Sequence, residues 1–113
     1  MNENTNPEVS ILIPTTGRME LMKMAIESVL NQTYKNFEIV IADSGEKNLE
    51  KEIAKINTEI RYFNIHKEAK ARPLLPFDFS VKAAIGKYMM WLDDDNYLLP
   101  YALELFKKII DRG

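Results

Sequence analysis

Four short apolar runs, at 9–14, 37–42, 61–65 and 88–92, are separated by segments whose hydrophobic residues recur at helical spacing. That alternation leaves few architectures open, because strands joined by helical crossovers run parallel and carry the helices on the sheet faces. Val9-Ser-Ile-Leu-Ile-Pro14 is rich in β-branched residues and ends at a proline, as a short strand does. From Met19 the period changes, and Met22, Ala25, Ile26, Val29 and Leu30 share one helical face. Residues 31–36 read as a polar connection. Phe37-Glu-Ile-Val-Ile-Ala42 is a second strand closed by Asp43-Ser44-Gly45. Leu49, Ile53 and Ile56 predict a helix with Asn48 as its N-cap.

Arg61-Tyr-Phe-Asn-Ile65 is a weaker third strand, and 66–76, with two prolines and several charges, reads as a long loop. Phe77, Val81 and Ala84 predict a helix that Gly86 stops. Tyr88-Met-Met-Trp-Leu92 is apolar throughout, the pattern of a strand covered on both faces. Pro100 suits a first helical position, and Ala102, Leu105, Phe106 and Ile109 give the last helix its stripe. The expected class is α/β: alternating β-α units, a mainly parallel sheet flanked by helices. A polar tail is expected over 1–8 and a single domain over 9–113.

At 113 residues the chain can bury about two-thirds of its unfolded surface, enough for a core without staples. A net charge of −2, from 15 basic and 17 acidic side chains, argues against a nucleic-acid binder. Without cysteine there is no disulfide, thiolate zinc site or cysteine nucleophile, and one histidine excludes a poly-His metal site. The first eight residues lack an apolar core, and no run approaches the roughly 20 residues of a membrane span. The expected setting is therefore cytoplasmic, at most peripheral at the inner face of a membrane. GxxxxGK[ST] and GxGxxG are absent, which disfavours a P-loop kinase or a dinucleotide dehydrogenase.

Ligands of an open parallel sheet bind beyond the carboxyl ends of its strands. Those ends carry Pro14-Thr15-Thr16-Gly17-Arg18, then Asp43-Ser44-Gly45, then Asp93-Asp94-Asp95-Asn96. Adjacent carboxylates repel one another, and a divalent cation with hard oxygen ligands, Mg²⁺ or Mn²⁺, removes that cost. In extended backbone Asp93 and Asp95 point one way and Asp94 the other. An isolated DDDN is a solvated turn; directly after an apolar strand, on a shared rim, a cation site is the better reading. Asp43 is either a turn residue or an acceptor for a ligand N–H or hydroxyl. Thr15 alone is structural. Arg18 pairs with phosphate or lies on the surface near a helix start. Arg72, beside Lys67 and Lys70, meets a base or phosphate or belongs to a solvated basic loop. His66 receives no catalytic role, while the methionines and Trp91 read as core.

Three segments together resemble the family 2 glycosyltransferases. They are Val-Ser-Ile-Leu-Ile-Pro-Thr at 9–15, Ala25-Ile-Glu-Ser-Val-Leu-Asn-Gln-Thr-Tyr-Lys-Asn-Phe-Glu38, and Gly86-Lys-Tyr with Leu92-Asp-Asp-Asp-Asn96. They come in the family's order, at close to its spacings, over nearly the whole chain. The resemblance implies the Rossmann-like nucleotide-binding half of a GT-A fold and a nucleotide-diphosphate sugar donor such as a UDP-sugar. It implies base contacts from Thr15 and Asp43, assisted by Arg72, and a DxD-type site at Asp93–Asp95. Asp95, with Asp93, is expected to hold Mn²⁺ or Mg²⁺, with Asp94 on the ribose or sugar side.

The implied reaction is an inverting displacement at the anomeric carbon, to the hydroxyl of a glycan or lipid-linked acceptor. Families of this type often show PTYNR, where this chain has Pro14-Thr-Thr-Gly-Arg18, and two acids with Gly-Ser, where it has Asp43-Ser-Gly-Glu46. The acceptor half and the general base normally lie beyond the position of Asp95, so both are expected to be absent from these residues. An exposed apolar surface is then expected beside the fourth strand, with self-association through it. The alternatives are a nucleotide-binding module that transfers nothing and a receiver-like domain. Receivers need acids where this chain has Thr15 and a phosphoacceptor where it has Asn64.

Overall fold

A computed structural model describes residues 6–112, so 1–5 of the expected tail lie outside the described residues. The elements run β1 (Val9–Thr15), α1 (Met19–Leu30), β2 (Phe37–Asp43), α2 (Glu50–Ile56), β3 (Arg61–Asn64), α3 (His66–Ala71), α4 (Leu75–Ala83), β4 (Tyr88–Trp91) and α5 (Ala102–Arg112). The four strands form one parallel sheet in the order β3-β2-β1-β4. The register aligns Thr15 with Asp43, and Asp43 with Asn64, so three strands end level at the carboxyl rim.

The interior lies on both faces of β1 and β2, which are buried along almost their whole length. One face presents Val9, Ile11, Ile13, Phe37, Ile39 and Ile41 to the buried stripe of α1, to Leu49 and Ile53, and to Leu103 of α5. The other face, with Leu12 and Val40 fully buried, is covered by α4.

Several expectations are corrected. The segment 66–76 is not a loop: it holds α3 and the first turn of α4, whose second residue is Pro76, where a missing N–H costs nothing. Leu49, not Asn48, stands at the N-cap of α2, although the Asn48 side chain accepts from Glu50 N at 2.9 Å. The stripe of α4 is reversed, because Pro76 and Ser80 face the sheet while Phe77 and Val81 are exposed. Leu103 is the buried residue of α5, and Leu105 and Ile109 face outward.

The largest correction concerns β4. It is an edge strand open on one face, with Met89 48% and Trp91 44% exposed. Trp91 is thus not core, nor are Met24 and Met89, whereas Met22 is. An apolar run records what a strand could bury; neighbouring elements decide what it does bury.

Candidate functional site at the carboxyl rim

A cleft of about 370 Å³ opens at the ends of β1 and β4, lined by Thr15, Thr16, Arg18, Ser44, Phe77 and the triplet Asp93–Asp95, with prolines 14, 73 and 76. The triplet does not continue the strand but enters a turn, closed by Asn96 N donating to Asp93 O at 3.0 Å, in which Asp93 and Asp95 are exposed and Asp94 is 4% exposed. Asp94 Oδ2 accepts from Thr15 Oγ1 at 2.6 Å and from Arg18 Nε at 3.3 Å, and Oδ1 pairs with Arg18 Nη2. Thr15 Oγ1 in turn accepts from Gly17 N at 3.0 Å. The bond to Asp94 and its charge raise the Arg18 pKa further, so the guanidinium stays protonated. Its side chain is half exposed.

The segment that carries the acids is pinned to α1. Buried Gln32 donates to Leu99 O at 2.7 Å and accepts from Leu103 N at 3.0 Å, and Ser28 Oγ accepts from Leu98 N at 3.0 Å. Gln32 belongs to the segment expected as a polar connection, and it is fully buried. Its only sequence signal is its place one turn beyond an apolar helical stripe.

Asp43 is fully buried and does not line the cleft. Its Oδ1 accepts from Gly45 N at 2.8 Å and its Oδ2 from the Tyr62 hydroxyl. Burial, and then this bond, push the Tyr62 phenol up to about 12. Tyr62 was not among the expected site residues. Asn64 Nδ2 donates to Gly45 O at 3.0 Å, and His66 Nδ1 lies 2.9 Å from Ser44 O, so β3 and α3 together hold the turn after β2.

The glycines of the two turns are held by their backbone and by close approach. Gly17 has φ +94°, which disfavours a side chain, and a Cβ on Gly45 would overlap the Thr16 carbonyl. Arg72 sits apart, at the C-cap of α3, 3.5 Å from Asp78. It lines a neighbouring cavity of about 690 Å³ beside β3, together with Tyr62, Phe63 and Phe79. The cleft thus gathers Thr15, Arg18 and Asp93–Asp95, while Asp43 ends its strand level with Thr15 but is buried outside the cleft and Arg72 lies apart.

Among the described residues no three His, Cys, Asp or Glu side chains converge as a metal cage. The donor chemistry still fits Mg²⁺ or Mn²⁺, which use one or two carboxylates and take the rest from water and ligand phosphates. Asp93 and Asp95 offer those two carboxylates, both exposed and both lining the cleft.

A parallel α/β sheet with its polar side chains gathered at the carboxyl rim defines a ligand-binding α/β domain. The particular lineage follows from comparison: residues 10–113 match the model for glycosyl transferase family 2, and the chain belongs to that family. An uncharacterized glycosyltransferase of Rickettsia felis is 38% identical over 109 residues, which are 94% of this chain and 18% of that protein. The GalNAc(5)-diNAcBac-PP-undecaprenol beta-1,3-glucosyltransferase of Campylobacter jejuni is 30% identical over 95% of this chain and 36% of its own length. The fold matches S. aureus TarS 1-349 in complex with UDP, with a TM-score of 0.81, 19% identity, and coverage of 93% of this chain and 32% of that one. The chain therefore spans between 18% and 36% of the length of these three proteins, and its sheet is that of the GT-A glycosyltransferases. Among the described residues no helix is long and apolar enough to cross a membrane.

Proposed function

We propose that residues 9–113 form the donor-binding portion of an inverting, metal-dependent glycosyltransferase that takes a UDP-sugar. The observation that carries this reading is the cleft, which sets two exposed carboxylates, Asp93 and Asp95, beside an arginine held by a third, Asp94. Asp95, with Asp93, holds Mn²⁺ or Mg²⁺, and such a cation supplies charge stabilisation to a departing diphosphate.

Arg18 is assigned to the diphosphate. Its guanidinium is already aimed into the cleft by Asp94 and half exposed, which suits bidentate contact with phosphate oxygens. The resemblance puts Asp94 on the ribose or sugar side. Both its oxygens are engaged by Thr15 and Arg18, so its first task is to position that arginine. Asp43 serves the base by fixing the turn through Gly45 N, with Thr15 on the adjoining strand end. Arg72 lies within the neighbouring cavity and joins a base only if the ligand extends over Tyr62 and Phe63.

No residue of this chain is assigned as general base. The acceptor in this reading is a glycan or lipid-linked hydroxyl, in keeping with the undecaprenol-linked substrate named for the Campylobacter relative. The setting is the cytoplasm, peripheral to the membrane where the acceptor is lipid-linked.

Calorimetry with UDP tests the reading. Binding is expected to need Mn²⁺ or Mg²⁺ and to weaken at least about tenfold in Asp95→Asn, the loss of one charge-assisted contact. Equal binding without metal would sink the cation assignment. Transfer from a UDP-sugar by this chain alone is expected to be negligible; robust transfer would show that the general base lies within these residues.

A further inference from the structure

The lining of the rim cleft is of two kinds. Hydroxyls, Arg18 and the acid triplet make up one part. Pro73, Pro76 and Phe77, from the start of α4 and the turn before it, make up another, with no charged or hydrogen-bonding side chain. Among the described residues that line the cleft, Phe77 carries the one aromatic ring. Local structure turns that ring toward the cleft. Pro76 and Ser80, one turn apart on α4, are buried, and Ser80 Oγ donates to Pro76 O at 2.7 Å. A helix advances about 100° per residue, so with Pro76 on the sheet Phe77 is directed off it. The Trp91 ring backs Phe77, with centroids 5.2 Å apart and planes at 54°, and does not itself line the cleft. That contact leaves the Phe77 side chain little freedom to lose when a ligand binds.

We propose that Phe77 is the stacking platform for the nucleobase of the donor, an inference that rests on the donor-binding reading of this cleft. A nucleotide has two unlike ends. Its diphosphate is drawn to the cation and Arg18, whereas the π-face of its base gains most from a flat apolar partner. The side chains expected to meet the base do not supply one. Asp43 and Arg72 lie outside the cleft, and the Thr15 hydroxyl is donated to Asp94. At about 370 Å³ the cleft is at the small end of ligand pockets, which hold about 300–1,000 Å³. A nucleotide whose diphosphate meets the acids therefore has its base within reach of the Phe77 wall. Every base has a π-face, so this contact sets affinity and leaves the choice of base to other groups.

Calorimetry on the full 113-residue chain with two ligands, UDP and inorganic pyrophosphate, each with Mn²⁺, tests the assignment. Phe77→Leu keeps an apolar side chain but removes the ring. It is expected to weaken UDP by about tenfold and to leave pyrophosphate unchanged. Phe77→Trp is expected to bind UDP at least as tightly as the parent. Equal UDP binding in the parent and in Phe77→Leu overturns the proposal. An equal loss of UDP and pyrophosphate overturns it too, because Phe77 then only supports the cleft. Should Phe77→Leu fail to fold, Phe77→Trp decides, and a loss of UDP relative to pyrophosphate in that variant overturns the proposal. A parent chain that does not bind UDP removes the donor-binding reading, and this inference with it. Parent binding that is indifferent to residue 77 removes the inference alone.

Discussion

Two buried carboxylates sit at opposite ends of the same sheet, and each is held by a hydroxyl and an arginine. At the amino end Glu38, 3% exposed, accepts from Ser10 Oγ at 2.6 Å and from Ile85 N at 2.8 Å, and pairs with Arg61 at 2.9 Å. Arg61 goes on to the Ala83 carbonyl at 2.7 Å, and Gly86 N donates to Ser10 Oγ, so the network stitches the end of α4 to β1, β2 and β3. At the carboxyl end Asp94 has Thr15 and Arg18, the same chemical set. What differs is the remainder. Both Glu38 oxygens and the Ser10 hydroxyl are matched within the protein, whereas Asp94 is flanked by two exposed carboxylates on a cleft. A hydroxyl, a carboxylate and an arginine therefore mark scaffold at both ends. Capacity for a ligand lies in the charges that the scaffold leaves unmatched.

Breaking the closed end has the largest expected effect. Glu38→Ala leaves Arg61, Ser10 and the Ile85 N–H facing a buried gap, and such losses cost about 3–5 kcal/mol; urea denaturation measures the shift. Asp94→Ala removes the same chemistry, but its arginine is half in water, so the cost falls to about 1–2 kcal/mol. A cost at the rim equal to that at Glu38 would erase the contrast between the two ends.

The next effect is a pH dependence. Tyr62 titrates near 10 when unfolded and near 12 when folded. Between those values the unfolded chain releases the phenol proton while the folded chain keeps it. Stability is therefore whole below about pH 10 and falls as the pH rises toward about 12. Tyr62→Phe is expected to flatten that part of a stability–pH curve; an unchanged slope would remove Tyr62 from the support of Asp43. Smallest on the fold are Asp93→Asn and Asp95→Asn, expected within about 0.5 kcal/mol of the parent because both side chains are exposed. Both are nevertheless expected to lose metal-dependent UDP binding. Stability lost together with binding would make the triplet scaffold, like Glu38.

Much of this was legible without coordinates. The alternating periods gave the element order apart from α3, which read as loop, and the residues that follow β1 and β4 named the rim that forms the cleft. Within the triplet the expected separation of Asp94 from its neighbours is found, but a turn produces it and not the extended backbone from which it was argued. Glu38 could have been found from the sequence: a carboxylate inside an apolar strand has to be paired. Tyr62, Gln32 and Ser28 could not, since the partners that tie them to other elements are 13 to 71 positions away in the chain and their spacing carries no periodic signal. Arg72 and Asp43 share the failing in reverse. Each belongs to a segment that reaches the rim, yet one rises into a separate cavity and the other is sealed beneath Tyr62.

Local chemistry was therefore set by the sequence itself: which residues extend, which coil, and which acids stand next to one another. Only the tertiary structure decided which of those groups are spent on the protein and which face solvent. Hydrogen-bond satisfaction and burial depend on neighbours remote in the chain. The same reason governs β4, whose apolar run predicts cover on both faces but whose place at the sheet edge leaves one face and one row of backbone groups open.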